Sequence, residues 1–197
     1  MEKLLFILHR IASMSAALDA HLRSIIIYSN YRKGDLLLRA GETAKRIFFI
    51  EKGLVKSFYS ENGVEASNWF MKEDDFCISV VSFLEQKPSE DALVALEDCE
   101  TWGISHEQLE KTYKLFPEFE RHGRIITGSY YVWSEKRYQS ILRKPAPFKY
   151  ARLMETEPDL LRRVPVKDLA SFLNVSERTL SRIRRKYIAN EKKKGKG

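Results

Sequence analysis

The spacing of apolar residues changes character along the chain, and each change predicts a different type of element. Ser15–Ile27 places Leu18, Leu22 and Ile25/Ile26 at three-to-four spacing, which predicts an amphipathic helix with Ser15 as its cap. From Tyr31 the pattern becomes short apolar or alternating runs: Leu36–Leu38, Ile47–Ile50, Leu54–Tyr59 and Ala66–Met71. Turn residues separate them, among them Lys33-Gly34-Asp35, Ala40-Gly41-Glu42, Lys52-Gly53 and Glu61-Asn62-Gly63. Short strands punctuated roughly every ten residues predict a sandwich or barrel. Ala92–Leu96 and Thr101–Ile104 are its expected closing strands.

After Ser105 the helical period returns, over Ser105–Tyr113 and then Pro117–Leu142. In the longer segment Phe119, Ile126, Trp133 and Ser140 share one heptad position, and His122, Ser129 and Lys136 share its partner. Such a helix spans roughly 39 Å, more than a small sandwich needs for cover. A dimer seam is therefore favoured over a helix packed only on its own sandwich. Pro145 and Pro147 stop the helix and mark a boundary.

The last part carries the most constrained pattern, VPVKDLASFLNVSERTLSRIRRKY over Val164–Tyr187. Val166–Leu173 is expected as one short helix behind Pro165, with a turn at Leu173-Asn174-Val175 and a second helix from a Ser176 cap to about Ala189. Ala170 is small where two helices must cross closely, and Asn174 tolerates the left-handed turn position. Leu169, Leu173, Val175, Leu180 and Ile183 supply the apolar crossing, a helix-turn-helix pattern. A plain helical hairpin would share that periodicity. The outward face decides between them: Glu177, Arg178, Thr179, Ser181, Arg182, Arg184, Arg185 and Lys186 are polar and mostly basic. Arginine pairs bidentately with guanine, and Lys, Ser and Thr hold phosphates.

Charge sharpens this picture. The net charge is +7, and it is unevenly spread. Met1–Ser140 holds 18 Lys+Arg against 21 Asp+Glu, whereas Ile141–Gly197 holds 16 against 6. A near-neutral sensor joined to a polyanion-binding module would show this asymmetry. The tail Glu191–Gly197 extends the basic run, and no two-stranded wing is expected after the second helix. Leu4–Leu8 is too short for a secretory core, and no run is long enough to span a membrane. Two cysteines, Cys77 and Cys99, make no disulfide framework, so cytoplasm is the expected compartment.

With both halves read, the chain resembles the CRP/FNR family of bacterial regulators over nearly its full length. The residues carrying the resemblance are KGDLLLRAGETAKRIFFIEKGLVKSFY (Lys33–Tyr59), with Gly34, Gly41 and Gly53 in the turns, and RVPVKDLASFLNVSERTLSRIRRK (Arg163–Lys186). It is most similar to a wingless branch common in Bacteroidetes. The resemblance implies an α+β chain with an N-terminal double-stranded β-helix or jelly-roll domain of the cyclic-nucleotide-binding type over 1–114. A dimerisation helix over 115–144, an all-α helix-turn-helix domain over 145–190 and a basic tail over 191–197 would follow. It implies a homodimer reading two half-sites about 34–36 Å apart, with double-stranded DNA and RNA polymerase as partners. Base-reading positions fall on Glu177, Arg178 and Arg182, with Ser176 and Thr179 as phosphate or supporting contacts; Arg185 and Lys186 complete the expected DNA-binding set. The cyclic AMP receptor protein has Arg then Glu where this chain has Glu177 then Arg178, so its base preference does not transfer.

In members that bind cyclic AMP, a Gly-Glu pair opens a short helix and an Arg about ten residues on holds the phosphate. The matching stretch Phe76–Leu93 has Cys77-Ile78-Ser79 and Ser89-Glu90 instead, contains no arginine, and offers only Lys87 as a cation. A phosphate there would lack a charge-assisted bond of about 1.5–3 kcal/mol. The expectation is a sensor that takes no cyclic AMP or GMP, with Phe76, Cys77, Ser79 and Ser89 lining a pocket for an unidentified effector. No cofactor and no metal are expected: two cysteines are too few for an iron–sulfur cluster, and His9, His21, His106 and His122 lack ligand spacing. No phosphate loop or nucleophile elbow suggests an enzyme. The competing class is a ligand-binding regulatory or scaffold protein whose helix-turn-helix touches protein.

Overall fold

The computed structural model describes residues 1–194, with Glu61 and residues 188–194 described in backbone only. Two helices come first, α1 (Glu2–Ile11) and α2 (Ala16–Ile25). Eight strands follow: β1 (Ile27–Tyr31), β2 (Leu36–Leu38), β3 (Arg46–Lys52), β4 (Val55–Glu61), β5 (Val64–Met71), β6 (Phe76–Cys77), β7 (Ala92–Ala95) and β8 (Cys99–Ser105), with the short helix α3 (Val80–Glu85) between β6 and β7. They form two four-stranded sheets, ordered β1-β8-β3-β6 and β2-β7-β4-β5. Apart from the consecutive pair β4–β5, strands of one sheet alternate in sequence with strands of the other, the winding of a jelly roll. Then come α4 (His106–Leu115), a 3-10 turn (Pro117–Phe119), α5 (Glu120–Arg143), α6 (Ala146–Thr156), α7 (Leu160–Arg163), α8 (Val166–Phe172) and α9 (Glu177–Lys194).

Chain contacts divide the molecule into two compact units. One comprises Met1–Tyr59 and Trp69–Tyr131; the other comprises Ser60–Asn68 and Val132–Gly197. The boundary between them falls inside α5.

In the first unit, Phe48, Ile50, Cys77 and Cys99 from one sheet meet Leu38, Val55, Met71, Leu93 and Ala95 from the other. β3 reads as an unbroken apolar run because both of its faces are covered. Phe48 and Ile50 face the partner sheet, while Phe49 points outward beneath Leu4, Leu5 and Leu8 of α1 and Leu18 and Leu22 of α2. Ser15 caps α2 by accepting from the Leu18 N–H at 3.1 Å. Ser105 caps α4 in a full capping box with Gln108. Gly53 has φ +105°, and a Cβ there would lie 2.6 Å from the Asp98 carbonyl oxygen and from Cys99 Sγ. Only glycine fits that turn.

The long helix departs from its expected stripe. Phe119 and His122 are buried, and Phe119 joins the outer cluster with α1 and α2, with Ile126 packed beside it. The start of the stripe is cover for its own unit. The large apolar residues of α5 left exposed are Trp133 of that stripe and, outside it, Tyr131, Val132, Tyr138 and Leu142. Among the described residues no helix is long and apolar enough to cross a membrane, and no group of three His, Cys, Asp or Glu could hold a metal.

Candidate nucleic-acid interface

In the second unit α8 and α9 pack together, and α6 packs on α9. Leu169, Ala170, Leu173, Leu180 and Ile183 are buried in this crossing. The turn is made as its residues predict: Asn174 has φ +54°, and its N–H donates to the Ser171 carbonyl at 2.9 Å. The Val175 N–H donates to the Ala170 carbonyl at 3.0 Å. Ser176 opens α9; its Oγ accepts from the Thr179 N–H at 3.2 Å and donates to Thr179 Oγ1 at 3.0 Å.

Leu180, Ile183 and Tyr187 lie at helical spacing on the inner face of α9, where the Tyr187 ring meets Tyr150 of α6 edge-on at 5.7 Å. Ser176, Glu177, Arg178, Arg182, Arg185 and Lys186 are exposed, and Thr179 is half-buried. Residues 178, 182 and 185 follow one line along the outer face. Among the described residues, no ion pair engages Arg178, Arg182, Arg185 or Lys186. Arg184 behaves differently from the sequence reading: it is half-buried and reaches the Leu161 carbonyl of α7 at 3.4 Å. Helical spacing alone does not separate it from Arg185. α9 also runs past Ala189 to Lys194; the side chains of the expected basic tail, and residues 195–197 altogether, lie outside the described residues.

Ser67, beside the β4–β5 turn, belongs to this second unit. Its N–H donates to Ser171 Oγ at 2.9 Å, and its Oγ contacts the buried Asp168 carboxylate at 3.5 Å. This contact with α8 is not legible in the sequence, because nothing local to residue 67 specifies a partner 104 positions away.

The residues matched to a phosphate pocket divide. Cys77 lies inside the sheet-on-sheet core, where burial pushes its thiol well up, and Phe76 packs edge-on to Phe49 at 5.7 Å. Ser79 and Ser89 do meet, with their buried hydroxyls 2.8 Å apart. Ser89 Oγ donates to the Asp91 carbonyl at 2.7 Å and accepts from the Asp91 N–H at 3.1 Å, so the proton between the serines comes from Ser79. Ser82 Oγ donates to the Lys87 carbonyl and accepts from the Ala44 N–H. All three hydroxyl protons are spent on protein acceptors. Lys87 points outward to Glu85 at 2.8 Å. These residues do not fit a cyclic phosphate.

A family model described as the cyclic nucleotide-binding domain matches residues 28–115. No curated protein matches the sequence significantly. Similar solved structures include the c-di-GMP-responsive global regulator CLP of Xanthomonas campestris, at 17% identity and TM-score 0.70, covering 90% of this chain and 93% of that one. FixK2 from Bradyrhizobium japonicum aligns at 19% identity and TM-score 0.73, covering 85% and 86%. A protein described as a crp/fnr family transcriptional regulator from Eubacterium rectale aligns at 14% identity and TM-score 0.70, covering 90% and 85%. At such identities the likeness carries the fold. Residues 28–115 thus resemble the cyclic nucleotide-binding domain family, in a chain that shares its fold with CLP, FixK2 and the crp/fnr family regulator from Eubacterium rectale.

Proposed function

We propose that this protein is a sequence-specific DNA-binding transcription regulator of the CRP/FNR type. It acts as a homodimer and places α9 of each helix-turn-helix in the major groove. The observation that carries this reading is the outer face of α9, where Arg178, Arg182, Arg185 and Lys186 stand exposed above a buried crossing with α8. A helix packed for structure alone gains nothing from unpaired like charges, whereas a phosphate backbone rewards each of them. Ser176 and Thr179, engaged with each other, support the helix start. Arg178 and Arg182, together with Glu177, are placed to read base edges.

Arg182→Ala is the direct test. It is expected to cost about 1–3 kcal/mol on a duplex selected by the wild-type protein from a random pool, and much less on unselected duplexes. Equal loss on both would make Arg182 a phosphate contact. Binding that ignores salt, or a preference for a protein over any duplex, would favour the scaffold reading, since each neutralised phosphate adds about 0.9 to the log–log salt slope.

The sensor is proposed to respond to neither cyclic AMP nor cyclic GMP. To hold a phosphate, the Ser79–Ser89–Asp91 and Ser82–Lys87 bonds would have to break with no arginine to compensate. Neither nucleotide is expected to raise the melting temperature. A rise of several degrees at sub-millimolar ligand would overturn this part of the proposal.

A further inference from the structure

We infer that Arg137 and Lys149 are positioning residues for α9, holding the C-terminal end of α8 by the carbonyls of Phe172, its last residue, and Leu173, its cap, so that the turn, and the helix after it, keep one orientation. The inference rests on the DNA-binding reading above for its consequence, though not for its geometry.

A helix ends with carbonyls that have no partner in the helix, and a short helix has few turns to spread that cost over. α8 accounts for each of its own. The carbonyls of Leu169, Ala170 and Ser171 accept from the N–H groups of Leu173, Val175 and Asn174. The next two turn outward from the helix, and each meets a cation from another element. Arg137 Nη2 of α5 donates to the Phe172 carbonyl at 3.4 Å, and Lys149 Nζ of α6 donates to the Leu173 carbonyl at 2.6 Å. Positive charge at a helix C-terminus is favoured by the aligned peptide dipoles. The Arg137 guanidinium also lies 3.7 Å from the centroid of the buried Phe172 ring, a cation–π contact that a lysine would not reproduce in its planar form.

Both cations are half-buried. Burial, and then the neighbouring Arg137 charge, hold the Lys149 ammonium below its usual range. Leu173 lies only just before Ser176, the cap of α9. If the two carbonyls lose their donors, water must satisfy them and the turn loosens. The start of α9, where Glu177 and Arg178 stand, then samples several orientations.

Lys149→Met keeps the stem and removes the donor. It is expected to weaken binding to the selected duplex about 5–30-fold, the effect of roughly 1–2 kcal/mol, and to leave the salt slope unchanged. Lys186→Ala, by contrast, should lower that slope by about 0.9. Lys149→Arg, which restores a donor, should recover most of the affinity. Arg137→Lys should recover only part of what Arg137→Ala loses. Independently of DNA, amide exchange at Asn174 and Val175 should quicken in Lys149→Met while Leu180 stays protected, which also shows that the variant is folded. Wild-type affinity together with unchanged exchange in Lys149→Met overturns the inference, and so does a reduced salt slope. Quickened exchange in a protein that binds no duplex at low ionic strength would sustain the clamp and sink the DNA-binding reading instead.

Discussion

Tyr138→Glu combined with Leu142→Glu is expected to leave the protein monomeric and to weaken binding to its selected duplex by about 10³-fold or more. Gly128, Tyr131, Tyr138 and Leu142 fall at alternating three- and four-residue steps along α5, with Glu135 completing the series. This is the seam spacing of a two-stranded coil. Tyr131, Tyr138 and Leu142 are 65%, 61% and 63% exposed, and a Cβ on Gly128 would meet nothing within 4 Å. Burying a large apolar side chain contributes about 1.5–3 kcal/mol, counted twice across a two-fold axis. Two glutamates per helix would place like charges against each other where those contacts should form. A lone subunit then reads one half-site, and much of the about 10³–10⁷-fold advantage over random DNA is lost. Sedimentation equilibrium and titration of a labelled duplex check both parts. A variant that sediments as a dimer and binds like wild type would show that the seam lies elsewhere.

Leu180→Ala should destabilise the second unit by about 2–5 kcal/mol, as removal of a fully buried leucine does when the cavity cannot collapse. Leu180 and Leu169 are both fully buried, and each comes from one side of the α8–α9 crossing. Small units of this size are stable by only about 0.05–0.15 kcal/mol per residue, so the change consumes a large share of what exists. Binding should fall on every duplex alike, with the denaturation midpoint shifted to lower urea. Arg182→Ala should leave that midpoint in place. An unshifted midpoint in Leu180→Ala would mean that the crossing is not packed as described.

Local chemistry was legible in advance wherever a residue acts on its own backbone. Ser15, Ser105 and Ser176 cap the helices that follow them. Asn174 takes the left-handed turn, and β2 falls on Leu36–Leu38 as its turn residues predict. α1 was not legible as a helix. Leu4–Leu8 is short, and its meaning comes from Phe49, a residue far along the chain that needs cover. α3 and α7 were missed as short pieces whose buried side is set by what they pack on, whereas α6 starts within the Pro145–Pro147 stretch read as a boundary, its proline lying in the first turn where a helix tolerates one. The heptad pattern found a real helix, but Phe119 and His122 at the start of its stripe are buried in their own unit while Trp133 stays exposed.

The sequence by itself determined the succession of a strand-rich region and a helical one, the polarity of the basic second helix of the helix-turn-helix, and the absence of an arginine from Phe76–Leu93. Those properties depend on residue type and on neighbours within a few positions. Only the tertiary structure decided that Ser79 and Ser89 share one proton path, that Arg184 turns inward while Arg182 does not, and that Arg137 and Lys149 close the end of α8. Each of these joins groups brought together by packing, and packing geometry is a property of the whole chain that no local window of residues contains.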